Sequence, residues 1–184
     1  DYARLIEMSE ALCEPGRLLV WPESAAWPRS WQDDVRLRRD VDRLARRGCA
    51  LLFNTSWDEG GRTFNSVLLV ELEEGGAAAG LRIARADKRH LVPFGEFIPF
   101  RETLPFLRKV VRSVGDFSPA AGIRLLEAHG SGGAGARLGA AVCYEVVFPS
   151  ETAALVRAGA NLLVTVTNDA WYGDSAAPRQ RLPD

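Results

Sequence analysis

What is scarce in the 184 residues narrows the field first. There are only three cysteines, two histidines and one methionine. Cys13, Cys49 and Cys143 are an odd number at wide spacing, which is not a disulfide framework. His90 and His129 stand far apart, with neither a Cys-x-x-Cys nor a His-x-x-x-His pair. The roughly four converging ligands of a zinc site are therefore not expected. No charge of one sign dominates: Lys+Arg is 23 and Asp+Glu is 24, for a net charge of -1. That balance argues against nucleic acid as a partner, which normally needs a basic surface. No uncharged apolar run approaches the ~20 residues of a membrane helix, and the longest candidate, Ala158 to Thr167, reads as a core strand. No basic-then-apolar leader opens the chain. It starts at Asp1 rather than Met, so its natural beginning is expected further upstream.

What is present describes an ordinary folded protein. Hydrophobic residues make up 47% and charged residues 26%, and a chain of this length buries roughly 70% of its unfolded surface. Leu5, Met8 and Leu12 recur at helical spacing over Tyr2 to Leu12, ahead of Pro15-Gly16. Leu18 to Trp21 is a short apolar strand stopped by Pro22. Trp31 to Arg47 is expected as a charged helix closed by Gly48. Ala50 to Phe53, Phe64 to Leu72 and Leu81 to Ala86 read as strands, the last alternating apolar residues with Arg. A helix is expected from Arg101 to Ser113. Strands follow at Ile123–Ala128 and Arg137–Val142, joined by a Gly130–Gly135 hairpin tip. That tip is not a phosphate loop, since no Lys-Ser/Thr follows, and no cofactor is expected. A helix from Ser150 to Ala158, capped by Ser150, and a strand from Asn161 to Val166 complete a mixed α/β order. Cys13 at a helix end and Cys49 at a strand start are expected as small buried hydrophobes.

Three residues stand where chemistry is easiest to mount. Glu23 follows the strand ending at Trp21, Lys88 follows Leu81 to Ala86, and Cys143 follows Arg137 to Val142. A strand end exposes a reactive group on a rigid support. A cysteine nucleophile needs a thiolate-like state, hence a nearby base or cation, and a carboxylate and a lysine are the available partners. Taken singly, a Glu or Lys just past a strand is usually a solvated loop charge. The intervals of 65 and 55 residues (88 − 23 and 143 − 88) mean that only the fold joins them.

The wording around these residues is more specific. Trp21-Pro22-Glu23-Ser24, then Lys88-Arg89-His90-Leu91-Val92-Pro93-Phe94-Gly95-Glu96, then Val142-Cys143-Tyr144-Glu145 resemble the carbon–nitrogen hydrolase (nitrilase) superfamily. Together with Thr167-Asn168-Asp169-Ala170-Trp171-Tyr172-Gly173-Asp174-Ser175 they resemble one branch of it, the apolipoprotein N-acyltransferases. The match runs from about Leu5 to Gln180.

The resemblance implies a four-layer αββα sandwich, a Glu23 general base and acid, a stabilising Lys88 and a nucleophilic Cys143. It implies supporting roles for Glu96, Tyr144 and Glu145. Trp171 and Tyr172 either line an acyl pocket or pack over the core. It further implies a phospholipid acyl donor, a diacylglyceryl-modified lipoprotein acceptor, and attachment to the bacterial inner membrane through an N-terminal membrane domain upstream. The site would then face the periplasm. Two departures accompany the match. The family continues past Pro178-Arg179-Gln180 with a His and a helix, where Arg181 to Asp184 follow here, and its first core strand precedes Asp1. A soluble amidase using the same three residues, with water as acceptor, and a degenerate non-enzymatic module are the competing readings.

Overall fold

The computed structural model describes residues 1–27, 29–73, 79–99, 116–129 and 135–168. The helix expected at 101–113, most of the hairpin tip at 130–135, and residues 169–184 lie outside the described residues. Two helices open the chain, α1 (Tyr2–Leu12) and α2 (Val35–Arg46), with β1 (Leu18–Val20) between them. Next come β2 (Ala50–Glu59), β3 (Arg62–Leu72) and β4 (Leu81–Asp87). The second half holds β5 (Leu126–Ala128), β6 (Ala136–Val142), a 3₁₀ turn (Cys143–Val147), α3 (Pro149–Arg157) and β7 (Leu162–Val166).

The strands form two sheets, one ordered β1-β2-β3-β4 and the other β5-β6-β7. β1 runs parallel to β2 and β6 parallel to β7, while the remaining neighbours are antiparallel. The period-two alternation of a strand explains why β2 and β3 are apolar on both faces. Leu51, Phe53, Leu68 and Val70 pack with Leu37, Val41 and Leu44 of α2, whereas Leu52, Val67 and Leu69 pack across to Leu126, Leu138, Val142 and Val166. On the far side Gly139 of β6 lets α3 and β7 come close, since a Cβ there would lie 3.0 Å from the Leu155 Cβ and 3.1 Å from the Leu163 Cδ2. The architecture is the αββα sandwich.

Several element bounds differ from the sequence expectation, for local reasons. The helix expected from Trp31 starts at Val35, because the Asp34 carboxylate accepts from the Leu37 N–H and caps it there. The helix expected to be capped by Ser150 begins one residue earlier, with Pro149 in the first turn and no side-chain cap. β2 and β3 run on to Glu59 and back from Arg62, because Gly60-Gly61 closes a two-residue hairpin with φ of 58° and 72° at its tip.

The cysteine reading is corrected more sharply. Cys13, at the C-cap of α1, and Cys49, just before β2, form a disulfide with Cα atoms 5.8 Å apart. Both positions flank the same end of β1, where the Ala50 N–H bonds the Arg17 carbonyl, so the fold joins residues that sequence spacing separates by 36. The cross-link is buried, at 6% and 2% exposure. Closing a loop of this length restricts the unfolded chain by about 4 kcal/mol in the chain-entropy account. The double substitution Cys13→Ala/Cys49→Ala is expected to lower unfolding stability by roughly 2–4 kcal/mol. Denaturant unfolding of the wild type, with and without reductant, gives the comparison. Equal midpoints for the oxidised protein and the double variant would contradict it.

Candidate active site

The candidate site lies where the apolar core between the sheets runs out. On β4 the inward positions are Ala84 and Ala86, and Lys88 is the next in that alternation. On β6 the inward series ends at Val142, directly before Cys143, and on β7 at Val166, two residues before Asn168. Glu23 joins them from the other edge. Its N–H bonds the Thr167 carbonyl at 3.3 Å, and its Oε2 accepts from the Asn168 N–H at 3.1 Å.

Each of the three arms contains a non-glycine residue in the left-handed backbone region: Ser24 (φ 56°) after Glu23, Phe94 (φ 60°) after Lys88, and Cys143 itself (φ 53°). They are the non-glycine residues with positive φ among the described residues. Such conformations cost about 1–3 kcal/mol each and persist where surrounding contacts enforce them.

Those contacts are visible. The Lys88 side chain is 1% exposed, and its ammonium meets both carboxylate oxygens of Glu96, at 3.0 and 2.9 Å. Glu96 is folded back by the Val92-to-Gly95 turn, in which the Gly95 and Glu96 N–H groups bond the Val92 carbonyl. The Glu96 carboxylate then takes the Val92 N–H at 2.9 Å and the Asn65 amide at 2.6 Å. Glu145 is 6% exposed and accepts three backbone N–H groups: Arg89 at 2.8 Å, His90 at 3.0 Å and Val142 at 2.9 Å. One carboxylate therefore ties the segment after Lys88 to the strand end that carries Cys143. Glu151 of α3 reinforces the same join through the Arg89 guanidinium and through His90 Nε2 at 2.7 Å.

The Glu23 side chain is hydrogen-bonded to the Cys143 side chain and sits in the field of Lys88. Burial pushes its carboxyl above the ordinary value of 4.5, and the negative charge of Glu96 adds to the rise. The Lys88 charge and the bonds from Cys143 and Asn168 oppose it. A carboxyl so placed exchanges a proton more readily near neutral pH than an exposed one does. Cys143 is half-buried and outside the disulfide.

The structure thus brings together Glu23, Lys88, Glu96, Cys143 and Glu145. Tyr144 is 44% exposed, with its ring edge-on to Phe148 at 5.4 Å, so its side chain lies outside the polar cluster. Trp171 and Tyr172 lie outside the described residues. A groove of about 620 Å³ runs along α1 and β1 and borders Pro22 and Ala25, but neither Lys88 nor Cys143 lines it. Sequence reasoning missed Asn54, Asn65, Asn168 and Glu151. The available signal was an asparagine in each of two strands, Asn54 and Asn65, at an end of the apolar runs Ala50–Phe53 and Val67–Val70.

The family model described as carbon-nitrogen hydrolase matches residues 4–183, and the chain belongs to that family. Two solved structures share the fold: an amidase of the nitrilase superfamily from Nesterenkonia and a CN-hydrolase superfamily protein from Xanthomonas campestris. The former has a TM-score of 0.57 at 21% identity, covering 97% of this chain and 64% of that one. The latter has a TM-score of 0.53 at 19% identity, covering 98% and 64%. More particular relatives are the apolipoprotein N-acyltransferases. That of Geobacter metallireducens is 44% identical over 173 residues, 91% of this chain and 31% of the relative. That of Methylococcus capsulatus is 37% identical over 169 residues, 89% and 31%. The chain spans about a third of the length of these relatives.

The raised Glu23 carboxyl has a consequence for stability. A group whose folded-state affinity for protons exceeds its unfolded one stabilises the fold when protonated, and that contribution is lost as pH rises through the folded value. Ionised Glu23 therefore weakens the fold at neutral pH. Glu23→Gln is expected to melt higher than the wild type at pH 7–8, by on the order of 2 °C. The gap should close as pH falls below the ordinary carboxylate range. Thermal melts of both proteins across pH decide the matter, and a variant that melts lower than the wild type at pH 8 would contradict the assignment.

Proposed function

We propose that residues 1–184 are the catalytic domain of an apolipoprotein N-acyltransferase, transferring a fatty acyl chain from a phospholipid to the α-amine of a diacylglyceryl-cysteine through a thioester. The observation that carries this reading is the Glu23 carboxyl bonded to the Cys143 side chain beside the Lys88 cation. The named relatives are apolipoprotein N-acyltransferases, which favours acyl transfer over hydrolysis.

In the first step Glu23 takes the thiol proton of Cys143, and the Lys88 charge favours the thiolate. The sulfur attacks the ester carbonyl of the phospholipid. The resulting oxyanion is held by the Lys88 ammonium and by a backbone N–H of the nucleophile turn, that of Tyr144. As the carbonyl re-forms, the C–O bond breaks and Glu23 returns its proton to the lysophospholipid alcohol. In the second step the amine of the acceptor gives its proton to Glu23 and attacks the thioester. An amide forms, and the Cys143 thiolate leaves and recovers the proton. Glu96 keeps Lys88 in place, and Glu145 anchors the nucleophile turn. No cofactor enters either step.

The reading places the site on the periplasmic side of the inner membrane, behind a membrane domain preceding Asp1. Among the described residues no helix is long and apolar enough to cross a bilayer. The Cys13–Cys49 disulfide supports an oxidising compartment, because cross-links of this kind are rare in reducing ones.

The test is an acyl-transfer assay on the full-length protein with phospholipid and a peptide bearing an N-terminal diacylglyceryl-cysteine. Amide product and parallel double-reciprocal plots are expected. Cys143→Ala should lower turnover at least ~10³-fold, and Lys88→Met should block chemistry while leaving phospholipid binding intact. Near-normal turnover in either variant would refute the proposed roles. A protein inert towards this pair but hydrolysing a small amide through Cys143 would be an amidase instead.

A further inference from the structure

β2 and β3 each carry an asparagine on the face between the sheets. Asn54 follows Leu52 in that alternation, and Asn65 precedes Val67. The antiparallel register pairs Asn54 with Val67 and Asn65 with Ser56, so the two amides are diagonal neighbours. Both are 8% exposed. A buried amide without partners costs about 1–3 kcal/mol, so two together at the end of an apolar layer require partners.

Their bonds form one directed chain. The Ser24 N–H, in the strained turn after Glu23, donates to Asn54 Oδ1 at 3.3 Å. Asn54 Nδ2 donates to Asn65 Oδ1 and to the Ser66 carbonyl. Asn65 Nδ2 donates to Glu96 Oε1 at 2.6 Å, the same oxygen that receives the Lys88 ammonium at 3.0 Å. The Asn65 carbonyl also accepts the Lys88 N–H at 2.8 Å. Asn65 thus touches Lys88 through the backbone and its counter-ion through the side chain. From Ser24 through Asn54 and Asn65 the donors run towards the Glu96 anion, an order that needs an acceptor and a donor on each side chain. Asparagine supplies both, and aspartate does not.

We propose that Asn54 and Asn65 are positioning residues that lock the Glu23 turn and the Lys88–Glu96 pair into one frame, fixing the carboxyl and the cation on either side of Cys143. Neither amide needs to touch substrate. Asn65 keeps the Glu96 carboxylate on the ammonium, and Asn54 passes that constraint to the backbone next to Glu23. The inference rests on the Glu-Lys-Cys reading above.

The experiment compares the full-length wild type with Asn65→Asp, Asn65→Ser and Asn54→Ser. It measures kcat and KM for acyl transfer, the rate of iodoacetamide alkylation at Cys143 against pH, and the melting temperature. The expected result for Asn65→Asp and Asn65→Ser is a roughly ten- to hundredfold fall in kcat, with KM for phospholipid within about twofold. Alkylation should slow in parallel, and its pH profile should move to higher pH, because the cation is no longer held beside the sulfur. Combining Asn54→Ser with Asn65→Ser should cost little more than Asn65→Ser alone, since the bonds lie in series.

Folded variants with the wild-type kcat and alkylation profile, differing only in melting temperature, would overturn the proposal and leave the amides as fold stabilisers. If Asn65→Asp does not fold, Asn54→Ser decides, since it leaves the Asn65–Glu96 bond in place. A normal alkylation profile in that variant is equally contrary. Wild-type protein whose Cys143 is not preferentially alkylated would instead remove the Glu-Lys-Cys reading itself.

Discussion

A lysine whose side chain is 1% exposed sets the terms for everything around it. An isolated charge in such a place would cost many kcal/mol or lose its proton. Lys88 keeps company with the Glu96 carboxylate, bonded through both oxygens, and the pair is paid for by further donors. Glu96 needs the Val92 N–H and the Asn65 amide, which require the turn with Phe94 at positive φ and the polar end of β3. Removing one partner of a buried pair typically costs about 3–5 kcal/mol, so the arrangement stands or falls as a unit. Lys88 also acts on Glu23, which is hydrogen-bonded to Cys143; in the proposed function, a fixed positive charge there favours a thiolate and then an oxyanion.

Two carboxyls in one small site are given different environments. Glu96 is surrounded by donors and a cation. Glu23 is half-buried with fewer compensating contacts, and its proton affinity is raised. Separation of this sort suits the proposed roles, one group holding charge and the other carrying a proton. A third carboxyl, Glu145, spends itself on three backbone N–H groups and joins the lysine segment to the nucleophile turn. The sandwich brings these groups together, with β1, β4 and β6 each leading into one arm and β7 into the Asn168 N–H that donates to Glu23.

The layout was legible where apolar runs and strand ends coincide. Leu18 to Trp21, Leu81 to Ala86 and Arg137 to Val142 announce strands, and Glu23, Lys88 and Cys143, which the fold brings together, follow them. Bounds were less legible where one side chain or turn decides them, as Asp34 does for α2 and Gly60-Gly61 for the β2–β3 hairpin. The Cys13–Cys49 cross-link was hidden because its closeness arises from β1 pairing with β2, a contact that spacing does not encode. Asn54 and Asn65 were hidden for a similar reason. Their meaning depends on a diagonal register and on Glu96 folding back over eight residues.

The central claim is that this buried cation activates Cys143 as an acyl carrier. Peptide mapping by mass spectrometry after incubating full-length protein with phospholipid, and no acceptor amine, addresses it most directly. The account predicts one hydroxylamine-labile fatty acyl group on the Cys143 peptide of the wild type, and none in folded Lys88→Met. An acyl group on Cys13 or Cys49, or an equal yield on Cys143 without Lys88, would contradict it.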